Sequence, residues 1–156
     1  MEIILVRHAI ALDKNIAKEK GIKDPNRKLT AAGKKRFKKH ILNYISLFKN
    51  SDFILSSPYV RAKETADTLV KHLPLIPQCV SSSVIVPNGS VDKFLSYLKN
   101  KTYRKFVVVS HEPFLSQLIE SLTAIPVGSI HLKKGCLVVL RLQPEGKYKV
   151  YQLLNP

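Results

Sequence analysis

Three stretches of the chain are unbroken apolar runs: Ile3-Ile4-Leu5-Val6, Phe53-Ile54-Leu55 and Phe106-Val107-Val108-Val109. They are rich in β-branched residues, too short for helices and show no helical period, which predicts strands covered on both faces. Between them the period changes. Phe37, Ile41, Tyr44, Ile45 and Phe48 recur at steps of three and four, as do Ala62, Ala66, Leu69, Val70 and Leu73, and then Val91, Phe94, Leu95 and Leu98. Each set predicts a helix with one face on a sheet. Another helix is expected to begin at Pro113 and to present Phe114, Leu115, Leu118, Ile119 and Leu122. The runs Leu137–Leu142 and Lys147–Leu153, separated by Gln143-Pro144-Glu145-Gly146, predict a terminal hairpin. Alternating strands and helices predict an α/β fold of three layers, α/β/α, around a mainly parallel central sheet. The strand order is not readable from the pattern.

Composition adds bounds. One domain spanning 1–156 is expected, because 45% hydrophobic residues suffice for one core and no repeat or low-complexity linker interrupts the chain. Cys79 and Cys136 lie far apart, and Cys136 opens an apolar run as a small buried hydrophobe would, so a reducing, cytoplasmic setting is expected. The run at Ile3–Val6 is too short for a signal peptide, and no stretch reaches membrane-spanning length. Charge changes the picture more. The net charge is +15, and the block from Lys14 to Lys39 holds eleven Lys or Arg against Glu19 and Asp24. Such a block serves either as a solvated surface or as a landing site for an acidic partner.

Ligands of open α/β sheets bind beyond the carboxyl ends of the strands. The first run ends in Arg7-His8, the second in Ser56-Ser57-Pro58 with Arg61 one turn further, and the third in Ser110-His111-Glu112-Pro113. Two arginines and two histidines are thus expected at one sheet edge. A phosphoryl group carries roughly two negative charges near neutral pH. Arginine meets it with a planar fork of donors that never loses its charge. Histidine is unprotonated in the same pH range and can attack phosphorus through one ring nitrogen while a hydrogen bond holds the other.

These segments carry a resemblance. Leu5-Val6-Arg7-His8-Ala9, then Ser57-Pro58-Tyr59-Val60-Arg61-Ala62-Lys63-Glu64-Thr65, then Val109-Ser110-His111-Glu112-Pro113 resemble the histidine phosphatase superfamily, of phosphoglycerate mutase-like fold. The short chain, without a large insertion, is similar to the SixA-like phosphohistidine phosphatases. Asp24-Pro25-Asn26-Arg27-Lys28-Leu29-Thr30-Ala31-Ala32-Gly33 resembles the link between first strand and first helix in that subgroup. The resemblance implies that His8 is transiently phosphorylated, that Arg7 and Arg61 clamp the phosphoryl oxygens, and that His111 adds a further contact. It implies no metal and no other cofactor, with a phosphate ion as the group bound. One departure is Ala9, where the superfamily has glycine; the methyl group is tolerated if the backbone there avoids positive φ.

Many superfamily members carry a carboxylic acid on a large insertion, and it protonates the leaving oxygen. Here the connection Pro74–Ser90 contains no Asp or Glu. An alkoxide would leave poorly without such a donor, whereas imidazole, with a pKa of about 6.5, leaves readily once protonated. Phosphohistidine in a protein is therefore the expected substrate, with small phosphate esters the alternative. Glu112 and Asp13 are the candidate acids or bases near the pocket; Glu112 could equally interact with the start of the helix at Pro113. Lys34, Lys35, Lys38 and Lys39 are expected to steer an acidic protein surface toward His8. A polyanion or nucleic-acid binding module is the rival of another class, but the basic residues lack interleaved aromatics and any such signature. A metal hydrolase using His8, His111 and a carboxylate is disfavoured because paired arginines would repel a cation. His40, His72 and His131 are assigned no role, the first two as surface groups.

Overall fold

In the computed structural model, which describes residues 1–73, 78–99 and 102–156, the three apolar runs become adjacent strands. β1 (Glu2–Arg7), β2 (Ile54–Ser56), β3 (Cys79–Ser81) and β4 (Lys105–Ser110) are parallel, and β5 (Leu137–Leu142) and β6 (Tyr148–Leu154) close the far edge as an antiparallel hairpin. The order is β3-β2-β4-β1-β5-β6. β4 therefore lies between β2 and β1, and the three strands whose ends carry the candidate chemistry are neighbours.

The alternation of side chains along a strand sorts the core into two layers. Ile4, Val6, Ile54, Val107 and Val109 face α2 (Ala31–Asn43) and α3 (Val60–His72), where Phe37, Ile41, Ala62, Ala66 and Leu69 cover them. Ile3, Leu5, Leu55, Phe106 and Val108 face the other way, under α4 (Val91–Lys99) and α5 (Phe114–Thr123), against Phe94, Leu98, Phe114, Leu115 and Leu118. The three-layer fold and the mainly parallel sheet thus follow from the runs. Full burial of such a side chain contributes on the order of 1.5–3 kcal/mol.

Several local expectations are corrected. The helix expected through Phe48 ends at Asn43: Tyr44, at φ −125°, breaks it, and Ile45–Phe48 form a separate 3-10 turn. α5 begins at Phe114, with Pro113 as its cap residue after a cis Glu112–Pro113 bond. The strand Cys79–Ser81 and the short α1 (Lys14–Glu19) were not anticipated. In β6 a register shift opposite Val139 and Leu140 leaves Leu153 exposed and turns Leu154 toward α2. His40 is no surface group: it is buried, and its Nε2 lies 3.1 Å from the Leu154 carbonyl. Cys136 is fully buried, as its run predicts, and burial pushes its thiol up to about 12. Of the connection 74–90, positions 74–77 lie outside the described residues. No described helix is long and apolar enough to cross a membrane.

The segment after β1 is tied down before the chain reaches α2. Ala11 and Leu29 form a bridge, Thr30 N–H donates to the Ile10 carbonyl (2.9 Å), and the Thr30 hydroxyl caps α2 by accepting from Gly33 N–H (2.9 Å). Gly33 must lack a side chain, since a Cβ there would stand 2.2 Å from the Ile10 carbonyl oxygen. The stretch 24–33 therefore serves to press the loop after His8 against α2.

Candidate active site

Each central strand delivers its terminal residues to one cleft. His8 N–H donates to the Ser110 carbonyl (2.9 Å) and Gly135 N–H donates to the His8 carbonyl (3.1 Å), so the backbone at His8 is held between β4 and the approach to β5. Ser57 N–H donates to the Val109 carbonyl (3.0 Å), which fixes the end of β2 beside β4. The resulting cleft, about 320 Å³, is lined by Arg7, His8, Asp13, Arg61, His111 and Glu112, all singled out in the sequence, and by Lys14, Asp24, Arg27, Pro87 and Lys134.

The His8 ring is locked. Its Nδ1 is 2.7 Å from the Ala9 carbonyl, which can only accept, so Nδ1 carries the proton and Nε2 keeps its lone pair. That lone pair accepts from Arg61 Nε at 3.2 Å. Burial, with the nearby His111, Arg61 and Arg7 adding to it and the Ala9 carbonyl opposing, pushes the His8 pKa down to about 2. His111 is pushed to about 3, by burial first and then by Arg61. The two imidazoles, 5.0 Å apart between ring centres, are thus neutral at physiological pH. His111 Nε2 shares a hydrogen bond of 2.8 Å with the Ser57 hydroxyl, while its Nδ1 is buried without a partner among the described residues.

Arg61 is 3% exposed at the first turn of α3, and its guanidinium is aimed by three contacts. Beyond the Nε bond to His8, Nη1 donates to the Asp24 carbonyl (2.8 Å) and Nη2 to Asp24 Oδ2 (3.1 Å). Burial raises the Asp24 pKa, but the hydrogen bond from Arg27 Nε (2.9 Å) and the charges of Arg61 and Arg27 outweigh it, and Asp24 stays ionised. Arg7 donates through Nη1 to the Leu132 carbonyl, and its Nε is buried without a partner among the described residues. Two guanidinium groups with donors to spare and a neutral imidazole with an inward lone pair form a receptor for a tetrahedral oxyanion.

Thr65 joins these parts. Its hydroxyl accepts from Ala9 N–H (3.1 Å) and donates to the Arg61 carbonyl (2.7 Å), coupling the loop after His8 to the turn that carries Arg61. Ala9 itself is outside the positive-φ residues and its methyl group is packed in the core, so alanine is accommodated where glycine was expected. Of the carboxylates, Asp13 accepts from Asn15 and Ile16 N–H and caps α1, which holds its pKa below the usual range. Glu112 accepts from the Ser116 side-chain hydroxyl through Oε2 (2.5 Å), with no side-chain cap on the helix N–H groups, and its Oε1 is buried without a partner among the described residues. No three His, Cys, Asp or Glu side chains among the described residues are grouped to hold a metal ion.

Solved structures share this architecture. The protein histidine phosphatase SixA complexed with tungstate superposes with a TM-score of 0.83 over 100% of this chain and 97% of that one, at 21% identity. The chain has the fold of the histidine phosphatase superfamily. The alpha-ribazole phosphatase of Shigella flexneri, which has the same fold, matches with a TM-score of 0.72 and 20% identity over 99% of this chain and 96% of that one. A phosphoserine phosphatase of Entamoeba histolytica matches with a TM-score of 0.71 and 15% identity over 99% and 96%. No family model matches the chain. An uncharacterized protein of Picosynechococcus sp. is 32% identical over 146 residues, 90% of this chain and 85% of its own length, and the two belong to one family. Lys14, Asp24, Arg27, Pro87 and Lys134 are the cleft residues that the sequence did not single out as site residues. Asp24 and Arg27 stood in the quoted 24–33 stretch, but their contacts to Arg61 and Leu12 bridge positions distant along the chain.

Proposed function

We propose that the protein is a phosphatase that works through phospho-His8 and acts on phosphohistidine in another protein, without a metal. The observation that carries this reading is the fixed tautomer of His8, with its Nε2 lone pair beside Arg61 in a cleft that Arg7 also lines. In the first step Nε2 attacks phosphorus, the new N–P bond forms, and the bond to the leaving imidazole breaks as that imidazole takes up a proton. Arg7 and Arg61 bind the phosphoryl oxygens throughout. In the second step water attacks the phosphorus of phospho-His8, releasing inorganic phosphate and restoring the neutral ring. His111, hydrogen-bonded to Ser57, contacts the oxygens from the other side.

The choice of leaving group rests on the cleft's acids. From the connection 74–90 only Pro87 lines the cleft among the described residues, and two of the three lining carboxylates are engaged, Asp24 by arginines and Asp13 by its cap. A donor to a departing alkoxide is thus scarce, whereas a protonated imidazole departs unaided. A second reading, hydrolysis of small phosphate esters, is favoured by the unpartnered Oε1 of Glu112, which could carry the proton an alkoxide needs. Parallel kcat/KM measurements on phosphohistidine in a carrier protein, phosphoserine and an aryl phosphate separate them. The first reading predicts the highest value for phosphohistidine and a Glu112→Gln variant that leaves it unchanged. A higher value for phosphoserine, lost in Glu112→Gln, would select the second.

A further inference from the structure

The cleft does not end at its catalytic groups. It shares Lys14, Asp24 and Arg27 with a second, larger groove of about 470 Å³ along the outer side of α1. The floor of that groove includes the buried Ala17 and the half-buried Ile22, and its rim is Gly21, Lys14, Lys18 and Lys23, all exposed. Among the described residues no acid pairs with any of the three lysines. The one carboxylate in the groove, Asp24, is spent on Arg27 and Arg61. The groove therefore holds uncompensated positive charge around an apolar floor, continuous with the place where phosphorus would sit.

The surface of α2 behaves differently, although its charge is as dense. Lys34 is paired with Glu64 at 2.7 Å and Arg36 donates to the Pro156 carbonyl, so half of the first two turns' charge is already engaged. This shifts the expected landing site from α2 to α1.

We infer that the α1 groove docks an acidic segment of the substrate protein, with an apolar side chain on Ala17 and Ile22 and carboxylates against Lys18 and Lys23. This rests on the phosphoprotein reading above and names the surface it would use. Charge complementarity selects an anionic partner. The apolar floor selects a polypeptide over a polyphosphate or a nucleic-acid backbone, neither of which has an aliphatic group to place there.

The test uses two synthetic peptides, each carrying one phosphohistidine introduced by phosphoramidate. One is flanked by glutamates and a leucine, the other by serines. For the parent protein kcat/KM on the acidic peptide is expected to exceed that on the neutral one by about tenfold at low salt. In Lys18→Glu with Lys23→Glu that preference disappears, while turnover of an aryl phosphate, which never reaches the groove, is retained and certifies the fold. In Lys38→Glu with Lys39→Glu the preference persists. A parent protein without preference, a preference that survives Lys18→Glu with Lys23→Glu, or one lost equally in both variants would overturn the inference. If neither phosphopeptide is turned over, the phosphohistidine reading fails, and binding of the unphosphorylated peptides decides the groove separately. About tenfold tighter binding of the acidic one, abolished by Lys18→Glu with Lys23→Glu, sustains it, and equal binding ends it.

Discussion

The two ends of the same central strands are built on opposite principles. At the amino ends of β1 and β4 the carboxylates are satisfied: Glu2 is bonded to Lys105 (3.0 Å) and Arg141 (2.7 Å), and Asp52 accepts the backbone N–H groups of Arg104 and Lys105. At the carboxyl ends Arg7, His8, Arg61 and His111 gather in a cleft where Arg61 and Arg27 share Asp24, and where Arg7, Lys14 and Lys134 have no ion pair among the described residues. There, too, lie Arg7 Nε, His111 Nδ1 and Glu112 Oε1, three of the five buried side-chain atoms without a hydrogen-bond partner among the described residues. Unsatisfied buried polar atoms cost stability, so their concentration at one end marks where a ligand completes the structure. The paired end stabilises the sheet; the unpaired end is kept ready for a dianion.

The sharpest way to break this contrast is to remove the lone pair at the unpaired end. His8→Asn is expected to lower kcat on a phosphohistidine substrate by about ten-thousandfold while far-UV circular dichroism stays that of the parent. Retained turnover would move the nucleophile elsewhere. Next in size, Arg61→Lys replaces a fork held by Asp24 and His8 with a point charge, and a loss of about a hundredfold in kcat/KM is expected from steady-state kinetics. A loss below about threefold would deny Arg61 a role in binding the phosphoryl oxygens.

Acid should act on the two ends in different pH windows. His8 and His111 have folded pKa values of about 2 and about 3, below the 6.5 of a free imidazole. Between those limits the unfolded chain binds protons that the folded chain refuses, and the buried His40, also held below its ordinary value by burial, acts in the same sense, so stability falls as pH falls from about 6.5 by about 1 kcal/mol per pH unit for each imidazole held neutral. Glu2 is held below its ordinary value: burial opposes this, and the hydrogen bonds and charges of Arg141 and Lys105 outweigh it. Its contribution is present above pH 4.5 and lost only below that. Denaturant melts at pH 7, 6 and 5 should therefore show stability falling ever more steeply in the parent and less steeply in His111→Asn. An unchanged slope would mean that His111 is not held neutral. Smallest of all, Glu2→Gln should cost about 1 kcal/mol and leave turnover unaltered, as the partly exposed Glu2–Arg141 contact implies. A catalytic defect there would join the two ends.

How much of this was legible before the coordinates depended on the range of the interaction. Runs such as Val107–Val109 declare a buried strand by themselves, and the residues just past each run, Arg7-His8 and Ser110-His111, declare what stands at its end. The order of β2, β4 and β1 is set by pairing between segments distant along the chain, such as Ile54 with Val107 and Ile4 with Val107, and leaves no local trace. α1 was missed because only Ala17 of its six residues is buried, which produces no apolar stripe. His40 could have been placed, since it lies three residues after Phe37 and one before Ile41, on the buried stripe. Asp24 could not: a carboxylate before a proline looks like a turn, and only the fold brings Arg61 to it.

The central claim is that the lone pair on His8 Nε2 accepts the phosphoryl group. Its most direct test is to mix the protein with a carrier protein labelled with radioactive phosphohistidine, quench in alkali within milliseconds, digest, and locate the alkali-stable, acid-labile label. The label is expected on the Nε2 nitrogen of His8 and nowhere in His8→Asn. Label on another residue, or phosphate release in the parent with no labelled intermediate at any quench time, would contradict it.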